Sequence, residues 1–272
     1  MTDIDNKSSN SGNKIQAQKY DLIPGFHGSR EFLIQGQDKV IEIWIAEGKS
    51  SVRKRQVIQI AREQNIPVRF KKGIELSHIL PGIAHQGIVT LVKKFTYTGL
   101  DHIINTSNQS EGQALLIATD HITDEGNLGA LIRTAAFFGV HGLIIPKDRS
   151  AAVTARVLKR ASGAYMHIPV ARVINMARTL DLLRKNGFWV IGSSDKSPDT
   201  IYEFDWNRNL VLVLGNEQQG LSRYVQKRCH HTVGIPALGH IESLNVSVAC
   251  GVILSEIVRQ RTLEGKGLQG PH

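Results

Sequence analysis

The chain reads as an α/β protein in two parts, and three observations predict it. From Ala114 to Leu214, short apolar runs alternate with helical segments, the pattern of a mainly parallel sheet covered on both faces. From Lys39 to Phe95, short β-rich runs alternate with helical ones, the pattern of a small α/β unit. Between them, Gly99 to Gly112 is polar and turn-rich, with Asn105-Thr106-Ser107-Asn108-Gln109-Ser110 at its centre, and reads as a linker. The expected organisation is a tail at 1–18, a small α/β domain at 19–98, a linker at 99–112 and a larger domain at 113–272. A length of 272 residues with 41% hydrophobic content is enough for two cores.

Met1 to about Gln18 is rich in Ser, Asn, Lys and Asp and lacks the apolar stretch of a signal peptide, so it reads as a disordered tail. In the small unit, Val40 to Ala46 reads as a strand and Ser51 to Gln64 as a helix. Pro67 to Phe70 follows as a strand, Glu75 to Leu80 as a helical turn and Gly87 to Val92 as a strand. In the larger unit the strand candidates are Ala114 to Ala118, Gly142 to Ile145, Phe188 to Ile191 and Leu210 to Leu214, with His231 to Pro236 as the last. Asn127 to Gly139 reads as one helix: Leu128, Leu131, Ile132 and Ala135 form its apolar stripe, Asn127 is a natural N-cap and Gly139 a natural stop. Arg133 lies off that stripe. The helix after Asn245 carries Val246, Val248, Ala249, Val252, Ile253, Leu254, Ile257 and Val258 around most of its circumference, for which a dimer interface is the economical explanation.

Lys and Arg number 33 against 24 Asp and Glu, a net +9 that favours a polyanionic partner, most simply nucleic acid. Between Ile15 and Leu100 there are 13 Lys and Arg against 7 Asp and Glu, so about two-thirds of the excess sits in about a third of the chain. Arg53-Lys54-Arg55, Lys71-Lys72 and Lys93-Lys94 supply clustered charge suited to phosphates. A second basic stretch runs from Ser150 to Ala161, with Arg149 just before it and Arg156, Lys159 and Arg160 within it, and reads as a basic helix, either solvated or facing a polyanion. The two cysteines, Cys229 and Cys250, exclude a disulfide framework and fit a reducing cytoplasm. Cys229-His230-His231 lacks the spacing of a zinc site, so no metal is expected. The longest apolar stretch, Val248 to Leu254, is too short to span a bilayer.

The most informative segment is Gly215-Asn216-Glu217-Gln218-Gln219-Gly220-Leu221-Ser222, directly after Leu210 to Leu214. It has the glycines and terminal hydroxyl of a phosphate-binding loop, but Leu221 stands where the phosphate-pairing lysine is needed, and Glu217 puts a negative charge inside. Such a loop suits an uncharged or cationic ligand, and an adenosine-bearing sulfonium fits. No Gly-x-Gly-x-x-Gly follows a strand, which argues against a dinucleotide enzyme.

Asn127-x-Gly129-x-x-x-Arg133, then Leu214-Gly215-Asn216-Glu217-x-x-Gly220-Leu221, then Ile235-Pro236 with Ser243 to Ala249, resemble the three ordered motifs of the SpoU (TrmH) family of SPOUT RNA methyltransferases. Trp44 to Gly48 and His85 to Val89 resemble the family's substrate-binding domain, so the likeness spans about Gln37 to Arg261. The resemblance implies transfer of the methyl group of S-adenosylmethionine to a ribose 2′-hydroxyl in structured RNA by a homodimer. A guanosine of 23S ribosomal RNA is the first expectation; a transfer RNA substrate, or a non-catalytic role in ribosome assembly, is the alternative. It also implies a trefoil knot, which general topology would never suggest. By the same likeness Gly215, Ile235 and Leu244, with Leu214 and Gly220 beside them, match main-chain positions that cradle the cofactor. Asn127, Arg133, Glu217, Ser243 and Asn245 match the polar positions around the transfer site. Two departures concern loop rigidity and substrate tuning: Asp124-Glu125-Gly126 stands where the family often has a proline, and Ala237 where methionine is common.

Overall fold

The computed structural model describes residues 20–110, 112–240 and 243–263, so the tail expected at 1–18 lies outside the described residues. The chain forms two compact units: Met1–Thr96 with Val153–Gly163, and Tyr97–Ala152 with Ala164–His272.

The first unit is built on a four-stranded sheet of β1 (Tyr20–Pro24), β2 (Val40–Ala46), β3 (Val68–Lys71) and β4 (Ile88–Lys93), in the order β1-β4-β2-β3. Strand β4 pairs antiparallel with both β1 and β2, whereas β2 and β3 run parallel. The alternation in β2 sends Ile43 and Ile45 to one face, against Phe26, Leu33, Val57 and Ala61, and Trp44 and Ala46 to the other, against Leu76 and Leu80. Those partners come from helices α1 (Phe26–Gln35), α2 (Val52–Glu63) and α3 (Gly73–Ile79), with Leu80 as the residue that caps α3. Strand β1 and helix α1 were not foreseen, because Tyr20 to Gln35 mixes Pro, Gly and charge with its apolar residues.

The second unit carries β5 (Leu115–Thr119), β6 (Gly142–Pro146), β7 (Val170–Val173), β8 (Trp189–Ser193), β9 (Leu210–Leu214) and β10 (His231–Val233). They form one sheet in the order β10-β8-β9-β5-β6-β7, and every neighbouring pair is parallel. All five residues of β9 are buried, as a continuous apolar run in a central parallel strand demands. The last strand is shorter than the sequence suggests: beyond Val233 only Gly234 pairs, in an isolated bridge to Thr200.

The linker expected at 99–112 is instead largely a helix, α4 (Leu100–Gln109). Ile103, Ile104 and Ser107 form its buried stripe, and Thr106 and Ser107 donate their hydroxyls to carbonyls one turn back, at 2.8 and 2.7 Å. Packing overrides the turn-rich composition: Ile103 lies where a side chain on Gly142 would stand, so helix and strand approach closely. Helix α5 (Glu125–Phe137) starts earlier than expected. Asp124 is its N-cap and accepts from the Asn127 amide at 2.7 Å, which leaves the Asn127 side chain for other work. After α5 the chain turns at Gly139, at φ 67°.

Helix α6 (Ala155–Ala161), the basic stretch, clusters with the first unit rather than with the domain expected at 113–272. Ala155 packs with Trp44 and Leu76, and Lys159 Nζ donates to the Ala84 carbonyl at 2.7 Å. Helices α7 (Met176–Lys185), α8 (Arg223–Gln226) and α9 (Val246–Leu263) complete the second unit. In α9, Val246, Cys250, Ile253, Leu254 and Ile257 are buried, while Val248 is 51% exposed, so the helix is less enclosed within one chain than its sequence suggests. Near its end, Arg261 donates to the carbonyls of Trp206, Gln113 and Arg208. Burial pushes its pKa down to about 10, so it remains a cation at neutral pH. Among the described residues no helix is long and apolar enough to cross a membrane, and no cluster of His, Cys, Asp and Glu is placed to hold a metal.

Candidate active site

Strands β5 and β9 lie side by side, yet β5 leads on to β6 while β9 leads on to β10 at the opposite edge. Their connections diverge at the carboxyl ends, where open parallel sheets bind ligands. A cavity of about 560 Å³ opens there, lined by Ser193 to Lys196 after β8, Leu214 to Leu221 after β9, Ile235 to Ala237 after β10, and Ser243, Leu244, Val246 and Ala249 at the start of α9.

The loop after β9 is folded tightly on itself. Asn216 N–H donates to the Gly220 carbonyl at 3.0 Å, and Gly220 N–H returns a bond to the Asn216 carbonyl at 2.8 Å. A methyl group on Gly215 would stand 2.5 Å from the Gly220 oxygen and 2.6 Å from the Leu221 nitrogen, both main chain, so only glycine fits. Gly220 closes the turn at φ 65°. The Asn216 side chain shapes the interior: its oxygen accepts from Gln218 N–H and Gln219 N–H at 2.9 and 3.2 Å. Leu221, in the lysine's place of a phosphate loop, packs into the core, and Gly192 of β8 leaves the room for it.

Glu217 is exposed on this loop, and its Oε1 gathers three donors: Asn127 Nδ2 at 2.9 Å, Asn245 Nδ2 at 2.6 Å and Val246 N–H at 3.2 Å. Asn245 Nδ2 also donates to Asn127 Oδ1 at 2.9 Å. Ser247 in turn donates its backbone N–H and its hydroxyl to Asn245 Oδ1, at 3.0 and 2.5 Å. One polar network thus joins the first turn of α5, the β9 loop and the start of α9. Each amide is fixed by its partners, and among the described residues the donors all meet Oε1 of the carboxylate.

Of the residues singled out in the sequence, Leu214, Gly215, Glu217, Gly220, Ile235, Ser243 and Leu244 line the cavity, and Asn127 and Asn245 join it through Glu217. Arg133 is not brought in. It is exposed two turns along α5, with no hydrogen bond or ion pair to any described residue and no place in the cavity wall. Ser194, Asp195 and Lys196 were missed because their segment carries no pattern beyond turn composition. Asp120 was also missed, although a charge directly after a fully buried strand marks a strand end. Cys229, behind the loop, has its thiol pushed up to about 12 by burial, so it is no nucleophile at neutral pH.

The walls suit a cofactor with a flat apolar part and a positive centre. Leu214, Ile235, Leu244, Val246 and Ala249 give the apolar surface, Asp195 and Glu217 contribute carboxylates, and Lys196 is the one cation among the described lining residues. A polyphosphate would meet two carboxylates and a loop without its lysine.

Comparison with known proteins agrees in both units. Residues 114–255 match the SpoU rRNA Methylase family, and residues 22–98 match the domain described as RNA 2'-O ribose methyltransferase substrate binding. The chain belongs to the SpoU rRNA methylase family. RlmB of Neisseria meningitidis serogroup B, a 23S rRNA (guanosine-2'-O-)-methyltransferase, is 40% identical over 245 residues, covering 90% of this chain and 97% of the relative. Its Pseudomonas aeruginosa counterpart is 38% identical over 244 residues, covering 90% and 98%. The SpoU methyltransferase AviRb from Streptomyces viridochromogenes, solved in complex with AdoMet, superposes with a TM-score of 0.72 at 25% identity, over 93% of this chain and 94% of that one.

Proposed function

We propose that the chain transfers the methyl group of S-adenosylmethionine to a ribose 2′-hydroxyl of ribosomal RNA, at a guanosine of the 23S molecule, in the cytoplasm. One observation carries the reading: a glycine-tight, lysine-free loop and an amide–carboxylate network converge on one cavity. S-adenosylmethionine, when bound, supplies an already electrophilic methyl group. The main chain at Gly215, Ile235 and Leu244 holds it, and the apolar side chains of Leu214, Ile235 and Leu244 cover it. The protein has left to orient the 2′-oxygen in line and favour its deprotonated form. Asn127 and Asn245, immobilised by Glu217, and Ser243 at the cavity edge position the ribose. A guanidinium stays protonated, so Arg133 acts by stabilising the developing alkoxide or gripping the adjacent phosphate.

Because Arg133 lies outside the cavity of its own chain, the same proposal includes a homodimer. Thr134, next to it, faces Gly251 of α9, and Val248, Gly251, Val252 and Ser255 line an open groove there beside exposed Tyr202. A second copy seated on this face covers Val248 and carries its Arg133 towards the first copy's cavity. The knot belongs to the proposal too, supported by the segments after β8, β9 and β10 and the start of α9 all lining one cavity.

The direct test is to map ribose methylation across total RNA in cells with and without the chain, alongside Arg133→Ala. A single 23S guanosine losing its mark in both supports the reading. An unchanged map with Arg133→Ala refutes the assigned role of that residue, and an unchanged map without the chain refutes the activity.

A further inference from the structure

We infer that the dipeptide Asp120-His121, which lines no part of the cavity, sets the shape of the Gly215–Ser222 loop and through it the affinity for S-adenosylmethionine. The inference rests on the cofactor reading given above. Asp120 directly follows β5 and is 1% exposed. Its backbone N–H donates to the Leu214 carbonyl at 2.8 Å, where the loop begins. Its Oδ2 accepts from the Ser222 N–H at 2.7 Å, where the loop ends. The carbonyl of His121 accepts from Asn216 Nδ2 at 3.0 Å, and Asn216 is the residue whose side chain folds the loop interior. Two consecutive residues therefore hold the loop at its entry, its middle and its exit.

Both residues are specified for this task. A buried carboxylate is costly unless its oxygens are satisfied. Here Oδ2 has the Ser222 amide and Oδ1 has His121 Nδ1 at 2.6 Å. His121 sits at φ 60°, a left-handed conformation that turns its carbonyl to Asn216 and that β-branched residues avoid. Leu214 and Ser222 are eight positions apart, so fixing both ends cuts the freedom of a glycine-containing loop before any ligand arrives. Pre-ordering of this kind appears as ligand affinity rather than as chemistry. Asp120 and His121 are accordingly positioning residues, not catalytic ones.

The test uses the full chain and titration calorimetry with S-adenosylmethionine, with steady-state methylation of RNA and melting of the ligand-free protein alongside. Asp120→Ala is expected to weaken cofactor binding about tenfold or more and to raise KM for the cofactor equally. It should leave kcat at saturating cofactor within about threefold. Asp120→Asn, which keeps an oxygen acceptor for Ser222, should restore most of the affinity. If Asp120→Ala fails to fold, Ser222→Pro serves instead, with Ser222→Ala as the control for the lost hydroxyl: φ at Ser222 is −62°, which proline accepts, and the N–H to Asp120 is removed. His121→Asn, which tolerates the left-handed backbone, should weaken binding less than Asp120→Ala. Unchanged cofactor affinity in Asp120→Ala or Ser222→Pro overturns the inference, as does a fall in kcat with KM unmoved. Failure of the unsubstituted chain to bind S-adenosylmethionine at all overturns the cofactor reading instead.

Discussion

Replacing Gly215 with alanine tests the cofactor cradle with one added carbon. The new methyl group would stand 2.5 Å from the Gly220 oxygen and 2.6 Å from the Leu221 nitrogen, where ordinary contact begins at 3.4 Å. The returning limb of the loop must retreat by about 1 Å, because those atoms are main chain and cannot rotate away. That limb is held by the two Asn216–Gly220 bonds, and losing both costs about 1–3 kcal/mol. If the cofactor needs the closed loop, binding weakens about 10- to 100-fold. The strand behind it is fully buried from Leu210 to Leu214 and is not displaced, so the ligand-free protein should melt within a few degrees of the parent. Titration calorimetry with S-adenosylmethionine, paired with thermal melting, reads both quantities. A Gly215→Ala protein that binds the cofactor as tightly as the parent refutes the reasoning.

Four further outcomes are expected. Arg133→Ala and Glu217→Ala should each lower methyl transfer at least a hundredfold, yet a mixture unfolded and refolded together should recover roughly a quarter of the parental activity, since half the dimers pair one intact Arg133 with one intact Glu217; no recovery means that both residues act within one chain. Arg55→Gln with Lys72→Gln, both exposed in the basic first unit, should weaken RNA binding more at low salt than at high salt and leave cofactor affinity untouched, as filter binding across a salt series would read. Arg261→Ala strands three carbonyls and should destabilise the chain by about 2–4 kcal/mol in urea unfolding; a loss below 1 kcal/mol contradicts its role as an anchor of α9. His141 accepts from the Leu115 N–H through Nδ1, so the fold holds it neutral, and burial pushes its pKa down. Its contribution is complete above about pH 6.5, where the unfolded histidine is also neutral, and is lost as pH falls through the folded pKa, at up to about 1.4 kcal/mol per pH unit. His141→Gln should flatten that part of the pH–stability curve.

Most of the parallel sheet was readable because its central strands are apolar runs bounded by turns, and Leu210 to Leu214 is buried at every position; β7 was not read, because Val170-Ala171-Arg172-Val173 is short and carries a charge. The Gly215–Ser222 loop was readable from residue chemistry, since two glycines with Glu217 and no lysine argue against a triphosphate before any coordinates exist. Asn127 and Asn245 were legible only through their family motifs. Their link to Glu217 spans 90 residues in one case and 28 in the other, and no local pattern encodes either.

What the sequence left open depends on who packs against whom. Polar composition marked 99–112 as a linker, but Ile103 against Gly142 makes most of it a helix. A good capping residue suggested that Asn127 begins α5, but Asp124 takes that place and frees the Asn127 amide for Glu217. The basic helix α6 follows strands of the second unit in sequence and clusters with the first. By itself the sequence determined the α/β class and the lysine-free Gly215–Ser222 loop, which follow from periodicity and residue chemistry within short windows, and the family, which follows from the likeness of three short motifs. Only the tertiary structure decided that Asp120 and His121 bracket that loop, that Glu217 binds two asparagines, and that Arg133 stands apart from its own cavity. Each of those is a distance between segments far apart in the chain, set by the order in which six parallel strands lie.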